Sequence, residues 1–162
     1  MIEIGASETP RVERAFERRL LRLVGLPYVF GGRGYGGVDC SSLIVRAVRD
    51  VLGMRVSQLP WMTADQLGRG RLGFTRPAGK LDIVGSCVLA FFDWDEDSIF
   101  EHAAVKLLDG SWVWSSSSAG RVVHVYPASE NVLRRQWREI EGAFDGRRSS
   151  LRLVDWQALR GL

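Results

Sequence analysis

The sequence predicts an α+β domain in which helices come first and an antiparallel sheet follows. Three observations carry that reading. Apolar residues recur at intervals of three and four up to Gly53; from Leu81 the apolar runs become short, β-branched and aromatic; and a glycine-rich loop ending in a cysteine separates the first two helical stripes.

Taken in order, Ser7, Thr9 and Pro10 form a helix-entry signal, and Val12, Ala15, Phe16, Leu20, Leu21 and Val24 follow at helical spacing until Gly25 closes the segment. Gly31, Gly32, Gly34, Gly36 and Gly37 then build a loop that can turn sharply and admit a ligand closely, because glycine lacks Cβ. From Cys40 the stripe Leu43, Ile44, Ala47, Val48, Val51, Leu52 predicts a second helix ending near Gly53. In the polar piece LPWMTADQLGRG, Thr63 and Asp65 are candidate caps of a further helical turn, and Gly68, Gly70, Gly73, Pro77 and Gly79 mark a loop.

The runs CVLAFF, HAAVKLL, SWVWS and RVVHVY read as strands of an antiparallel meander, with Leu108-Asp109-Gly110 and Ser117 to Gly120 as turns. Asp93, Asp95, Glu96 and Asp97 read as a solvated hairpin tip, since the glycine and terminal glutamate of a calcium loop are missing. Residues 129–144 predict a helix with Val132, Leu133, Trp137, Ile140 and Phe144 on one side. The tail from Asp145, with Arg147, Arg148, Ser149 and Ser150, reads as a linker before a last amphipathic segment, LVDWQALRGL. Residues 1–146 are therefore expected to form one domain and 147–162 a short C-terminal extension.

At 162 residues and 46% hydrophobic content the chain can bury a full core without staples. The net charge of +3 is spread rather than blocked: Arg11, Arg14, Arg18, Arg19 and Arg22 lie along one predicted helix and Arg134, Arg135 and Arg138 along another. Such arginines read as solvated faces or as mild attraction toward an anionic polymer; a nucleic-acid partner is not expected. No apolar run of about 18 residues is present, so no membrane insertion is expected. The start MIEIGASETP lacks the basic and apolar regions of a secretory signal. Two cysteines give no disulfide framework, and both read as free thiols, Cys87 in the core. Two histidines in separate strands with no paired carboxylate motif make poor zinc ligation, so neither metal nor cofactor is expected.

The chemistry centres on Cys40, in the first turn of its predicted helix. Unpaired N–H groups and the helix dipole favour an anion there, and the thiolate is the reactive form of cysteine. The setting of Asp39, Ser41 and Ser42 is not one that a core cysteine needs. A nucleophilic cysteine requires a base within hydrogen-bond reach. Of the two histidines, His102 opens a strand just after the acidic hairpin, where a ring can project into a cleft, while His124 sits inside RVVHVY; His102 is the expected base.

PYVFGG, DCSSLI and HAAVKLLDG, in that order and with Ala64-Asp65-Gln66-Leu67 between them, resemble the pattern of the NlpC family of papain-like cysteine peptidases. The likeness spans about Gly25 to Ser118. It implies a papain-like fold with the nucleophile at a helix N-terminus packed on a mainly antiparallel sheet of about five or six strands. It implies hydrolysis of peptidoglycan stem peptides, at the bond between γ-D-glutamate and the diamino acid or a similar amide. Cys40 matches the nucleophile and His102 the base. Tyr28 matches the tyrosine that supports the oxyanion with the Cys40 N–H, and Asp39 and Ser41 match residues that receive the peptide's amino end.

The chain departs from the pattern at four positions. The polar third residue, twelve after the base, falls on Trp114, whose indole donates but accepts nothing; Ser115 or a backbone carbonyl would then orient His102, or the site is impaired. Phe30 replaces a tryptophan, Ser42 a glycine and Ser86 an aspartate. Ser42 and Trp114 would reshape the substrate pocket. The alternatives to a peptidase are a catalytically impaired cell-wall-binding or phage tail module, and a papain-like acyltransferase or amidase on another substrate. Without a visible signal, a cell-wall enzyme made in the cytoplasm would travel with a phage tail or lysis apparatus or with secretion-system proteins.

Overall fold

The computed structural model describes residues 9–34, 36–79, 81–93, 96–126 and 149–161. The helix expected over 129–144 and the residues Asp95, Arg147 and Arg148 lie outside them.

Helix α1, Thr9–Arg22, buries Val12, Phe16 and Leu20 along one side, as the stripe predicts. A two-stranded ribbon, β1 at Arg33–Gly34 and β2 at Gly37–Val38, leads into α2, Cys40–Leu52. This helix buries Leu43, Ile44, Val45, Ala47 and Val48, and Gly53 ends it in the left-handed conformation at φ 64°. Thr63 caps α3, Ala64–Gly68, through a capping box with Gln66. The expected glycine loop beyond it holds a 3-10 turn at Arg71–Gly73 and a short strand, β3, at Thr75–Pro77. Helix α4, Asp82–Gly85, then precedes the strands.

Those strands are β4 Val88–Phe92, β5 His102–Lys106, β6 Trp112–Ser116, β7 Arg121–Val125 and β8 Ser149–Val154, followed by α5, Trp156–Arg160. One antiparallel sheet runs in the order β3-β8-β4-β5-β6-β7. The meander β4 to β7 is as the sequence predicts. Of the expected extension over 147–162, the described residues 149–161 begin with β8, which pairs with β4 from Leu89↔Arg152 to Phe92↔Ser149 and with β3 on its other side. Arg152 and the paired serines mask this strand's pattern. Inside the sheet the Arg152 guanidinium is satisfied by Thr75, through Oγ1 at 2.6 Å and the carbonyl at 3.1 Å.

Alternation along the strands separates two cores. Leu89, Phe91, Ala103, Val105 and Val113 face α1 and α2, in one cluster with Phe16, Leu20, Leu43 and Ile44. Ala90, Phe92, Ala104 and Trp112 face the other way.

The acidic hairpin is only partly a solvated tip. Asp93 is buried, and its carboxylate accepts from Asp97 N at 3.2 Å and Ser98 N at 2.8 Å, so it shapes the loop from beneath.

Candidate active site

The loop that carries Cys40 is built by close packing. A Cβ at Gly37, at φ 155°, would stand 2.4 Å from Val29 Cγ2 and 2.7 Å from the Pro27 carbonyl oxygen. The glycines of this loop thus pack it against itself before any ligand arrives. Asp39 follows as the N-cap of α2. Its Oδ1 accepts from Ser42 N at 2.8 Å and from the Ser41 hydroxyl at 3.1 Å, and its Oδ2 from Gly31 N at 3.2 Å. Asp39 N in turn donates to Ser42 Oγ at 2.9 Å, which completes a capping box. That is the local reason for serine where the resembled pattern has glycine.

Cys40 is thereby held at the floor of a cleft of about 260 Å³, lined also by Tyr28, Ser41, Trp61, Phe100 and Glu101. Its sulfur lies 3.8 Å from the Glu101 carbonyl oxygen. Burial pushes the thiol up to about 11, against a smaller downward pull from a backbone hydrogen bond at Ala103; the Asp39 charge adds to the rise. The helix start does not outweigh desolvation, so the sequence-based expectation of a resting thiolate gives way to a neutral thiol. Burial first, and then the approach of negative charge at Cys40, when it ionises, and at Asp39, also raise the Tyr28 phenol, which keeps its proton as a donor toward the cleft.

His102 follows Glu101 directly. Its register partner on β4 is Phe92, and the two rings stack at 5.9 Å and 26°. Burial pushes the imidazole down to about 4, so it is neutral at pH 7. The residue of this strand end that lines the cleft beside Cys40 is Glu101. His102 adjoins the thiol through the backbone on both sides, Glu101 and Ala103, while its ring rests on Phe92.

On β6, Ser115 is fully buried and donates its hydroxyl to the Val38 carbonyl oxygen at 2.7 Å, which ties the sheet to the segment before Cys40. Trp114, the neighbouring residue, packs on the opposite core with Phe92 and Trp112. The cleft thus gathers Cys40, Tyr28, Asp39, Ser41 and Ser42. His102 and Ser115 reach this region through backbone and loop, and Trp114 belongs to the far side of the sheet. Sequence reasoning missed Glu101, Trp61 and Phe100 as lining residues; Trp61, two residues before the cap Thr63, was open to notice as an aromatic in a polar piece.

The carboxylates of Asp93, Asp97 and Glu101 have oxygens within 4.8 Å of one another, the arrangement nearest to a cation site among the described residues. Two of them are already engaged by backbone N–H groups: Asp93 as above, and Asp97 by Ile99 N at 2.9 Å.

This arrangement of helices on one antiparallel sheet has counterparts among solved structures. The fold is that of the NlpC/P60 domains. The NlpC/P60 domain of the peptidoglycan hydrolase SagA is 20% identical over 69% of this chain and 86% of its own, with a TM-score of 0.51. The peptidoglycan hydrolase RipB from Mycobacterium tuberculosis is 23% identical over 75% of this chain and 61% of its own, at 0.54. An NlpC/P60 family protein from Bacillus cereus is 16% identical over 88% of this chain and 40% of its own, at 0.59. The chain therefore spans most of the SagA domain but less than two thirds of the other two proteins. No protein-family model matches the sequence, and no curated protein matches it. Among the described residues no helix is long and apolar enough to cross a membrane.

Proposed function

We propose that the protein is a cysteine peptidase that hydrolyses stem-peptide amides of peptidoglycan, at the γ-D-glutamyl-diamino acid bond or a similar amide. The observation that carries this reading is the placement of Cys40 at the capped start of α2, on the floor of a cleft and against the backbone on either side of His102. The shared fold with NlpC/P60 hydrolases supports the substrate class.

In this reaction His102 takes the Cys40 proton as the sulfur attacks the amide carbon. The Tyr28 hydroxyl and the Cys40 N–H receive the developing oxyanion. The imidazolium then gives its proton to the leaving amine, leaving a thioester. A water deprotonated by His102 cleaves that thioester, and the returning proton restores the thiol. Starting from two neutral groups, the ion pair forms only as attack begins, which requires the start of β5 to turn so that the His102 ring passes from the Phe92 face of the sheet to the face of the sulfur. Asp39 and Ser41 receive the peptide's amino end, and Ser42 narrows that side of the cleft.

Peptidoglycan sacculi incubated with purified protein are expected to release fragments with newly free γ-D-glutamyl carboxyls, read by mass spectrometry. Absence of such fragments, or equal release by Cys40→Ala, overturns the proposal.

The protonated thiol and the stacking of His102 on Phe92 favour a second reading, a cell-wall-binding module with an impaired site. Retained muropeptide binding with no turnover by wild-type protein distinguishes it. Carriage by a phage tail or a secretion apparatus is part of either reading, and co-purification with such a carrier tests it.

A further inference from the structure

Beside the cleft, α1, α2 and Trp61 enclose a second cavity, lined by Arg19, Arg33, Arg46, Arg49, Asp50 and Trp61. Four guanidinium groups face one carboxylate. Asp50 is taken by Arg19, whose Nε and Nη2 both lie 2.7 Å from Oδ2, with Arg46 Nε at 4.0 Å from the same oxygen. Arg49 is different. It is only 7% exposed, its guanidinium carbon lies 3.7 Å from the centre of the Trp61 ring, and its Nε and Nη2 have no hydrogen-bond partner among the described residues.

Those two nitrogens form the side edge of the guanidinium, the pair of parallel donors that fits the two oxygens of a carboxylate or phosphate. Stacking on Trp61 fixes the plane of the fork, so little rotamer freedom remains to be lost on binding. A buried cation with vacant donors and cationic neighbours is unfavourable by itself, and an anion supplies both the missing charge and the missing acceptors. Burial and the Arg46 charge draw the Arg49 group downward, against Asp50, in keeping with a cation that lacks a counter-ion.

We infer that this cavity is an oxyanion-binding site in which Arg49 grips a carboxylate or phosphate group through Nε and Nη2, with Arg33 and Arg46 as further cations. Arg33 and Trp61 line both this cavity and the cleft of Cys40, so an anion held here abuts whatever occupies that cleft. The site stands whether or not Cys40 is catalytic.

NMR titration of the Arg49 Nε–H and Trp61 indole N–H signals with inorganic phosphate, and separately with succinate, tests it against chloride at matched ionic strength. A saturable shift with a dissociation constant of roughly 1–10 mM is expected for at least one anion. Saturation by phosphate alone assigns a phosphoryl group, by succinate alone a carboxylate, and by both the shared chemistry. Arg49→Gln is expected to weaken binding by about tenfold or more, since it removes a charge-assisted pair of hydrogen bonds. Should that variant not fold, Arg33→Gln on the exposed ribbon, followed by the Trp61 signal, is expected to weaken binding by about threefold or more. No saturable shift beyond chloride, or wild-type affinity in the folded variant, overturns the inference.

Discussion

The Ser115 hydroxyl donates to the Val38 carbonyl oxygen at 2.7 Å, joining β6, the strand next to the sheet edge, to the residue two before Cys40. Expected from sequence beside the base, Ser115 instead acts on the segment that presents the nucleophile. Its substitution by alanine leaves the Val38 carbonyl with Val29 N as its remaining donor, at a cost of about 0.5–1.5 kcal/mol for the lost bond. Ser115→Ala is expected to lower the melting temperature by several degrees and to reduce turnover more than substrate binding. An unchanged melting temperature would show that the bond contributes nothing.

Asp39 holds Ser42 N, the Ser41 hydroxyl and Gly31 N together. Asp39→Ala is expected to destabilise by about 1–2 kcal/mol through loss of the cap, and Asp39→Asn by less, because asparagine still accepts from the helix start. Ser42→Gly breaks the reciprocal half of the capping box and is expected to cost less than Asp39→Ala. Denaturant unfolding of the three variants gives the order directly; Asn as damaging as Ala would contradict the capping role.

Burial leaves Cys40 near 11 and His102 near 4, so both rest uncharged at pH 7. Alkylation of Cys40 by iodoacetamide is expected to rise with pH through a midpoint well above the roughly 8.5 of a free thiol. A midpoint below neutrality would instead indicate a resting thiolate–imidazolium pair. Followed by NMR, His102 is expected to remain neutral down to about pH 4.

Two buried groups also couple stability to pH with opposite signs. The unfolded chain protonates His102 from about 6.5 downward, the folded chain only near 4, so its contribution is complete above 6.5 and lost as pH falls toward 4. Glu13 is raised from 4.5 to about 7, chiefly by burial, so the folded state holds its proton more tightly. Its contribution is complete below 4.5 and lost as pH rises toward 7. Melting temperatures of Glu13→Gln between pH 4.5 and 7 are expected to climb more steeply with pH than those of wild type, because the Glu13 effect that opposes His102 is removed. A parallel pair of profiles would contradict the assignment.

The nucleophile's half of the site was legible because its signals are local: a glycine loop, Asp39 in cap position and an apolar stripe three and four apart. The far half depends on register. Whether Glu101 or His102 turns toward Cys40 is a matter of one residue's parity along β5, and a strand's pairing, not its composition, decides that. Likewise β8 was hidden because Arg152 interrupts its pattern, and only the non-local bonds to Thr75 make a charge acceptable there. The arginine cavity was invisible for the same reason. Arg33, Arg49 and Trp61 meet only in space.

The proposed function rests on Cys40 forming a covalent acyl-enzyme with a peptidoglycan stem peptide. Incubation with a synthetic stem peptide, rapid acid quenching and intact-mass analysis test it most directly. A mass increase equal to the acyl portion is expected, mapped by digestion to the peptide containing Cys40 and missing from Cys40→Ala. Cleavage of the peptide with no adduct on the protein, at a rate that Cys40→Ala retains, would contradict it.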